Sequence, residues 1–324
     1  MLELDDPTLT VRPPSRTDAD AVLELINAAD MFDYGEIDMT VEDLLDDWTD
    51  VDLEHNAWLV SEPDGRAIAY GEVQARAGVQ LRIYLVVHPD RRRQGIGHRL
   101  LTTIEERAAA LVADAPEGAR VTLEGFGPGG REIERNLAAK HGFRHQRTFW
   151  RMVIEMTEEP PAPLLPDGIT IRTYDPGRDE RAVFEAVEDA FSDHWNHVPM
   201  SYDEWVARTK RPDFDPTLWL LAVDGEEIVG TSLCRIQAEM GWVGTLGVRR
   251  PWRRRGLARA LLLHSFGEWW RRGQRKVGLG VDAESLTGAT RLYEAAGMHV
   301  SERYDMYEKV LREGVDMAIR EVRD

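Results

Sequence analysis

The residues whose types and spacing carry the clearest chemistry run from Val248 to Leu263, Val-Arg-Arg-Pro-Trp-Arg-Arg-Arg-Gly-Leu-Ala-Arg-Ala-Leu-Leu-Leu. The apolar run Val243 to Val248 fits a strand, and Leu257, Ala260, Leu261 and His264 then recur at helical spacing. A strand that feeds a glycine turn and opens a helix builds an anion site. The first N–H groups of a helix have no partner inside it, point one way and carry the positive end of the helix dipole. Gly256 lets a ligand approach the backbone, and Arg253, Arg254 and Arg255 surround it with positive charge. A phosphate suits such a site; a solvated basic face at a helix start would show the same residues.

The chain carries the pattern a second time, in Val87-His-Pro-Asp-Arg-Arg-Arg-Gln-Gly-Ile-Gly97. In both copies an Arg stands five residues after the Val and a Gly three residues after that Arg. Leu85, Val86, Val87, Arg92, Arg93, Gln94, Gly95, Ile96 and Gly97 therefore answer to Leu246, Gly247, Val248, Arg253, Arg254, Arg255, Gly256, Leu257 and Ala258. The echo extends outward. Leu9-Thr-Val-Arg12 matches Ile169-Thr-Ile-Arg172, and Trp58-Leu-Val60 matches Trp219-Leu-Leu221. Each of the latter runs meets an Asp-Gly hairpin signal, at Asp64-Gly65 and Asp224-Gly225.

A period of about 160 residues makes each copy a domain. The copies are predicted at residues 1–156 and 169–312, each completed by its own closing strand, at 148–156 and 303–310. Four prolines make 157–168 a semi-rigid linker. Residues 313–324 read as a short helix or a frayed tail. The predicted order of elements suits an α/β fold with a mixed sheet in each domain.

Composition narrows the function. The 324 residues are 43% hydrophobic and 30% charged, enough for two buried cores. A net charge of −18 opposes general nucleic-acid binding. Acid is concentrated between Asp30 and Glu54, a stretch without Lys or Arg. It reads as a solubilising surface or as a field that attracts cationic amines. No apolar run approaches the ~18 residues that span a bilayer, and the first residues are acidic where a signal peptide is basic. The lone Cys234 allows no intrachain disulfide and fits a core position in a cytoplasmic protein. His194 and His197 have a spacing compatible with a metal pair, but no further ligands stand out, so no metal is expected.

Arg-x-x-Gly-x-Gly/Ala between a strand and a helix, here at Arg92 to Gly97 and Arg253 to Ala258, resembles the acyl-CoA pyrophosphate loop of the GNAT acetyltransferase superfamily. The resemblance covers essentially the whole chain. In layout it is similar to tandem members of the mycothiol synthase type, without a counterpart to their polar strand where this chain has Leu233-Cys-Arg-Ile236. The resemblance implies acetyl-CoA as cofactor, held by the backbone of Leu246 to Val248 and the loop Arg253 to Ala258, with a second possible site at Leu85 to Val87 and Arg92 to Gly97. It also implies a thiolate-protonating Tyr, which falls on Tyr293 in Leu292-Tyr293-Glu294; the bare residues allow a Tyr merely packed on a helix. The matching position of the first copy is Ala138, so that domain is expected to be silent in catalysis.

Where the superfamily places a Glu on the fifth strand, the second copy has Gly280 and the first has Glu124. Glu239, Asp282, Glu284 or a water chain remain as bases, and Ser285 replaces the familiar Asn before the Tyr-bearing helix. Trp195, His197 and Trp205 are candidates for the wall of an acceptor pocket. The implied activity is acetyl transfer to a primary amine of a small molecule, the mycothiol precursor being one such acceptor. A non-catalytic acyl-CoA-binding module is the rival reading, and the oligomeric state stays open.

Overall fold

Strands and amphipathic helices alternate through the computed structural model in the order that the internal repeat implies. The structure describes all residues except 1–3, 5, 38, 77, 210–213, 238, 286–287 and 319–324, so Asp38 of the acid-rich stretch and the end of the tail lie outside the described residues. The first copy runs β1 (Thr10–Arg12), α1 (Ala19–Asp33), α2 (Val41–Asp47), a short α3 (Leu53–Asn56), β2 (Ala57–Ser61), β3 (Ala67–Arg76), β4 (Gln80–Val87), α4 (Ile96–Leu111), β5 (Val121–Pro128), α5 (Glu132–Lys140) and β6 (Arg144–Glu155). The second runs β7 (Ile169–Thr173), α6 (Glu180–Phe191), α7 (Tyr202–Arg208), β8 (Trp219–Asp224), β9 (Glu227–Gln237), β10 (Met240–Val248), α8 (Leu257–Arg271), β11 (Lys276–Asp282), α9 (Ala289–Ala295) and β12 (His299–Arg312).

The chain folds into two units whose boundaries differ from those expected of the repeat. The first comprises Met1–Thr148 with Arg303–Met317, and the second Phe149–Glu302 with the chain end. The strands of the first unit lie in the order β1-β2-β3-β4-β5-β12, with only β4 and β5 parallel. Those of the second lie in the order β7-β8-β9-β10-β11-β6, with only β10 and β11 parallel. The closing strands are therefore exchanged. Residues 148–156 do not complete the first domain: Phe149 to Glu155 pair with β11. Nor do 303–310 complete the second, because Tyr304 to Arg312 pair with β5.

Packing explains why the exchange is tolerated. Either sheet needs only an antiparallel strand with one apolar face, and β6 and β12 both supply one. Tyr307 joins the core of the first unit, and Met152 and Met156 join that of the second. Ion pairs fix β12 in the first unit: Glu308 with Arg120 (2.7 Å) and Lys309 with Glu105 (2.6 Å). Residues 157–166 form no regular element. The described part of the tail is not a helix; Val315 makes an isolated parallel bridge to Ala119.

Each unit buries both faces of its sheet. In the first, α4 lays Leu100, Leu101 and Ile104 against Leu81 and Leu123, while α1 and α2 cover Tyr70 and Val86 on the other side. In the second, α8 supplies Leu262, Phe266 and Trp269, and α6 and α7 cover Leu221 and Leu233. A Cβ on Gly241 would stand 2.8 Å from the Trp269 ring, so a glycine is what lets α8 lie this close to β10. Met152, fully buried, tests the exchange. Met152→Ala should cost about 2–5 kcal/mol and lower amide-exchange protection in β11; protection lost in β5 instead would contradict the strand assignment.

Candidate functional site

The geometry of interest begins where the parallel strands part. In the second unit β10 pairs with β11 only at Gly241–Val277 and Trp242–Gly278. Beyond that point β10 is held by β9 alone, with a register shift between Val243 and Thr245 that marks a bulge at Gly244. The β11-facing backbone from Val243 to Val248 is thus outside any ladder. The first unit has the same parting: β4 and β5 pair from Gln80–Thr122 to Ile83–Gly125 and no further. Its β3–β4 ladder runs on without a register shift.

The loop after each parted strand has a distinctive backbone. Arg254 has φ 61° and Gly256 φ 81°, and Arg93 and Gly95 repeat this with 64° and 85°. A left-handed non-glycine residue costs about 1–2 kcal/mol, and both copies tolerate it at the same place. Turns of this kind gather successive N–H groups into an anion-binding concavity, here continued by the first turn of α8 or α4. A Cβ on Gly256 would meet nothing within 4 Å, so open space lies before the helix terminus.

Arg253, expected to present its charge to a ligand, turns inward instead. Its Nε donates to the carbonyl of Val248 (3.0 Å), one Nη to Asp193 (2.5 Å) and the other to the carbonyl of Ala190 (2.8 Å). Arg92 repeats the arrangement, donating to the carbonyl of Val87 (3.1 Å) and, through both Nη atoms, to Asp33 (2.8 Å each). Each guanidinium therefore ties the end of the parted strand to the end of the first helix of its repeat. Arg249 pairs with Asp189 and Glu227, and Arg250 with Asp193. Arg254 and Arg255 are exposed. Sequence reading missed Asp33 and Asp193. The signal that could have found them is an Asp 59 residues before Arg92 and 60 before Arg253.

Tyr293 lies on α9, buried in the cluster that holds Val243 and Leu246 of the parted strand. Burial pushes its hydroxyl up to about 12, so it stays a proton donor. Asp282, Glu284 and Ser285 form the turn after β11, where the backbone N–H of Ser285 donates to the Asp282 carbonyl (3.0 Å) and that of Glu284 to the Asp282 carboxylate (2.8 Å). Because β10 and β11 are parallel, this turn stands at the same end of the sheet as Val248.

Other candidates are not brought together. Glu239 occupies the β9–β10 hairpin with φ 60° and accepts a hydrogen bond from Gln274 on its carbonyl. It lies before the far end of β10, about 30 Å from Val248 at strand rise. Trp205 is 4% exposed and packs on Tyr202, Phe184 and Trp219, so it is core and not a pocket wall. His197 bonds Glu188 (3.2 Å), and His194 stacks on Phe191 with its pKa lowered by burial. Trp195 is half-buried in the same segment after α6. Cys234 is buried and its thiol is pushed up by that burial, which makes it unreactive.

Gly278 and Gly280 leave the α6 side of β11 without side chains, beside Trp242. The exchanged strand supplies the neighbours: Arg151 stands across from Gly280, pairs with Glu302 and lies over the Trp242 ring at 5.4 Å.

Known proteins are similar to this chain across both repeats. Residues 181–298 match the model of the Acetyltransferase (GNAT) family, and 54–145 that of an Acetyltransferase (GNAT) domain. A mycothiol acetyltransferase from Thermobispora bispora is 36% identical over 220 residues, 66% of this chain and 70% of that protein. One from Thermomonospora curvata is 34% identical over 242 residues, 74% of this chain and 77% of that protein. A GCN5-related N-acetyltransferase from Sphaerobacter thermophilus superposes with TM-score 0.87 at 44% identity, covering 97% of this chain and 99% of that one. A tandem GNAT protein from the clavulanic acid biosynthesis pathway shares the fold, with TM-score 0.72 at 17% identity over 94% of this chain and 99% of that one.

The clamp has a measurable pH signature. The hydrogen bond from Arg253 holds the Asp193 carboxyl below its ordinary value, so its stabilisation is present above about pH 4 and is lost as pH falls through the folded value. Asp193→Asn should lower unfolding free energy by about 1–3 kcal/mol at neutral pH, with the deficit shrinking in acid. A deficit independent of pH would contradict the clamp.

Proposed function

The chain belongs to the GNAT acetyltransferase family, and from that premise we propose that it transfers an acetyl group from acetyl-CoA to the primary amine of a small molecule, with chemistry in the second unit. The observation that carries the proposal is the parting of β10 from β11 immediately before a loop with two left-handed residues. The parted backbone of Leu246 to Val248 offers N–H and C=O groups to an extended ligand arm, and the N–H groups from Arg254 to Ala258 suit a pyrophosphate. Open space before Gly256 fits such a ligand. Arg254 and Arg255 add charge there, whereas Arg253 serves through the shape it imposes. Acetyl-CoA supplies an acyl group on a thioester.

The protein's own groups supply the rest. A backbone N–H of the parted strand stabilises charge on the carbonyl oxygen. Tyr293 protonates the departing thiolate, for which a buried, neutral hydroxyl near the strand is suited. Asp282 and Glu284 stand at the correct end of the sheet to receive the proton of the amine, directly or through water, and Ser285 lies beside them. The first unit, with the same loop and parting, is a second acyl-CoA site.

A narrower reading, acetylation of the cysteinyl amine of a mycothiol precursor, is favoured by the names of the relatives at 36% and 34% identity. The leucine at position 233, buried in the core, separates this chain from the polar strand of that group.

Tyr293→Phe should lower kcat about 100-fold with KM for acetyl-CoA unchanged. Because burial pushes the hydroxyl up to about 12, wild-type kcat should show no loss of this acid up to about pH 10. Steady-state rates across pH check both; an unchanged kcat in the variant would remove Tyr293 from the mechanism.

A further inference from the structure

The first unit holds a set of groups that the second lacks. Tyr70 and Glu72 on β3 and Tyr84 on β4 share the sheet face covered by α2. The register sets Glu72 directly across from Tyr84, which is the first residue past the last β4–β5 pair. The Tyr70 ring lies 5.9 Å from Trp48 and 6.2 Å from Tyr84, and its hydroxyl donates to the Glu72 carboxylate. Tyr84 is 37% exposed and Glu72 half-buried, so the pair is reachable at the point where the strands part.

The electrostatics suit proton transfer. Burial is the main cause that raises Glu72 to about 7; Asp47 on α2 adds to it, and the bond from Tyr70 opposes it. Arg82 on β4 and Glu124 on β5 are the next charged groups along the sheet, with Arg82 itself lowered to about 10 by burial. Counting back from the loop, the second unit has Thr231 where the first has Tyr70, and Leu233 across from Thr245 where the first has Glu72 across from Tyr84. Neither can take a proton at neutral pH. A carboxylate beside the exposed face of a tyrosine attracts an ammonium group. The acid-rich stretch from Asp30 to Glu54, which includes α2 and has no Lys or Arg, supplies a field of the same sign.

We propose that the first unit is a second acyl-transfer centre, with Glu72 as the base for an ammonium acceptor seated between Glu72 and Tyr84. It rests on the reading that the loop Arg92 to Gly97 and the parted strand Tyr84 to Val87 hold an acyl-CoA. The ammonium gives one proton to the Glu72 carboxylate, which releases it to water. The freed nitrogen lone pair attacks the thioester carbonyl, the C–N bond forms and the C–S bond breaks. The second N–H proton ends on the departing thiolate, relayed by the Tyr84 hydroxyl, which gives one proton and takes the other. The products are an amide, free CoA thiol and one proton. This centre does not need the Tyr that Ala138 replaces.

The test measures CoA thiol release from acetyl-CoA, with spermidine and glucosamine as amine probes, in Tyr293→Phe and in Tyr293→Phe with Glu72→Gln. Gln keeps an acceptor for the Tyr70 hydroxyl, and a melting curve checks that the double variant folds. The single variant should retain turnover with an acid limb near the Glu72 value of about 7. Adding Glu72→Gln should abolish that limb and lower kcat further, to what the second unit keeps without the Tyr293 hydroxyl. Turnover that vanishes with Tyr293→Phe alone would overturn the inference while leaving the chemistry of the second unit standing. Residual turnover that ignores Glu72→Gln, or no turnover of either probe by any form, would overturn it as well.

Discussion

The grip of Arg253 on the end of β10 is the interaction on which the candidate site depends. One planar guanidinium reaches the Val248 carbonyl, the Ala190 carbonyl at the end of α6, and Asp193. A strand that has left its parallel neighbour has lost half its ladder, and something else must fix its end. The guanidinium does so with charge-assisted bonds in a rigid fork, the geometry for which arginine is better suited than lysine. The left-handed residues Arg254 and Gly256 come directly after that anchor in the chain. Arg92, Val87 and Asp33 repeat it. Its recurrence in two copies of divergent sequence argues that the loop shape itself is what the arginine serves.

From that anchor the rest can be ordered. Parting of the strands exposes backbone in a slot, the loop turns N–H groups toward the open ground before α8, and α8 is held against β10 by Trp269 over Gly241. The two units then differ in what they place along the slot. The second offers a buried tyrosine on α9 and a face stripped to glycine at positions 278 and 280. The first offers alanine at position 138 but keeps Glu72, Tyr70 and Tyr84. One scaffold thus carries two chemical environments.

Much of this was legible in the sequence. The Arg-x-x-Gly spacing, the repeat and the order of elements all survive, because each depends on local rules of periodicity and turn chemistry. The exchange of β6 and β12 was not legible. Both strands offer one apolar face, and the ion pairs that seat β12 beside β5 join residues far apart in sequence. The direction of the Arg253 side chain was hidden because its partner lies 60 residues away. Trp205 looked available for a pocket, but Tyr174, Phe184 and Trp219, distant in sequence, enclose it. Glu239 looked like a spare carboxylate until the hairpin set it at the wrong end of its strand.

The central claim is that parted strands and left-handed loops make acyl-CoA cradles, one in each unit. Calorimetric titration of acetyl-CoA into the wild type and into Gly256→Glu tests it most directly. A side chain at Gly256 would fill the open space before α8. The account predicts two binding events per chain in the wild type and one in the variant. No binding to the wild type, or binding that the substitution leaves unchanged, would contradict it.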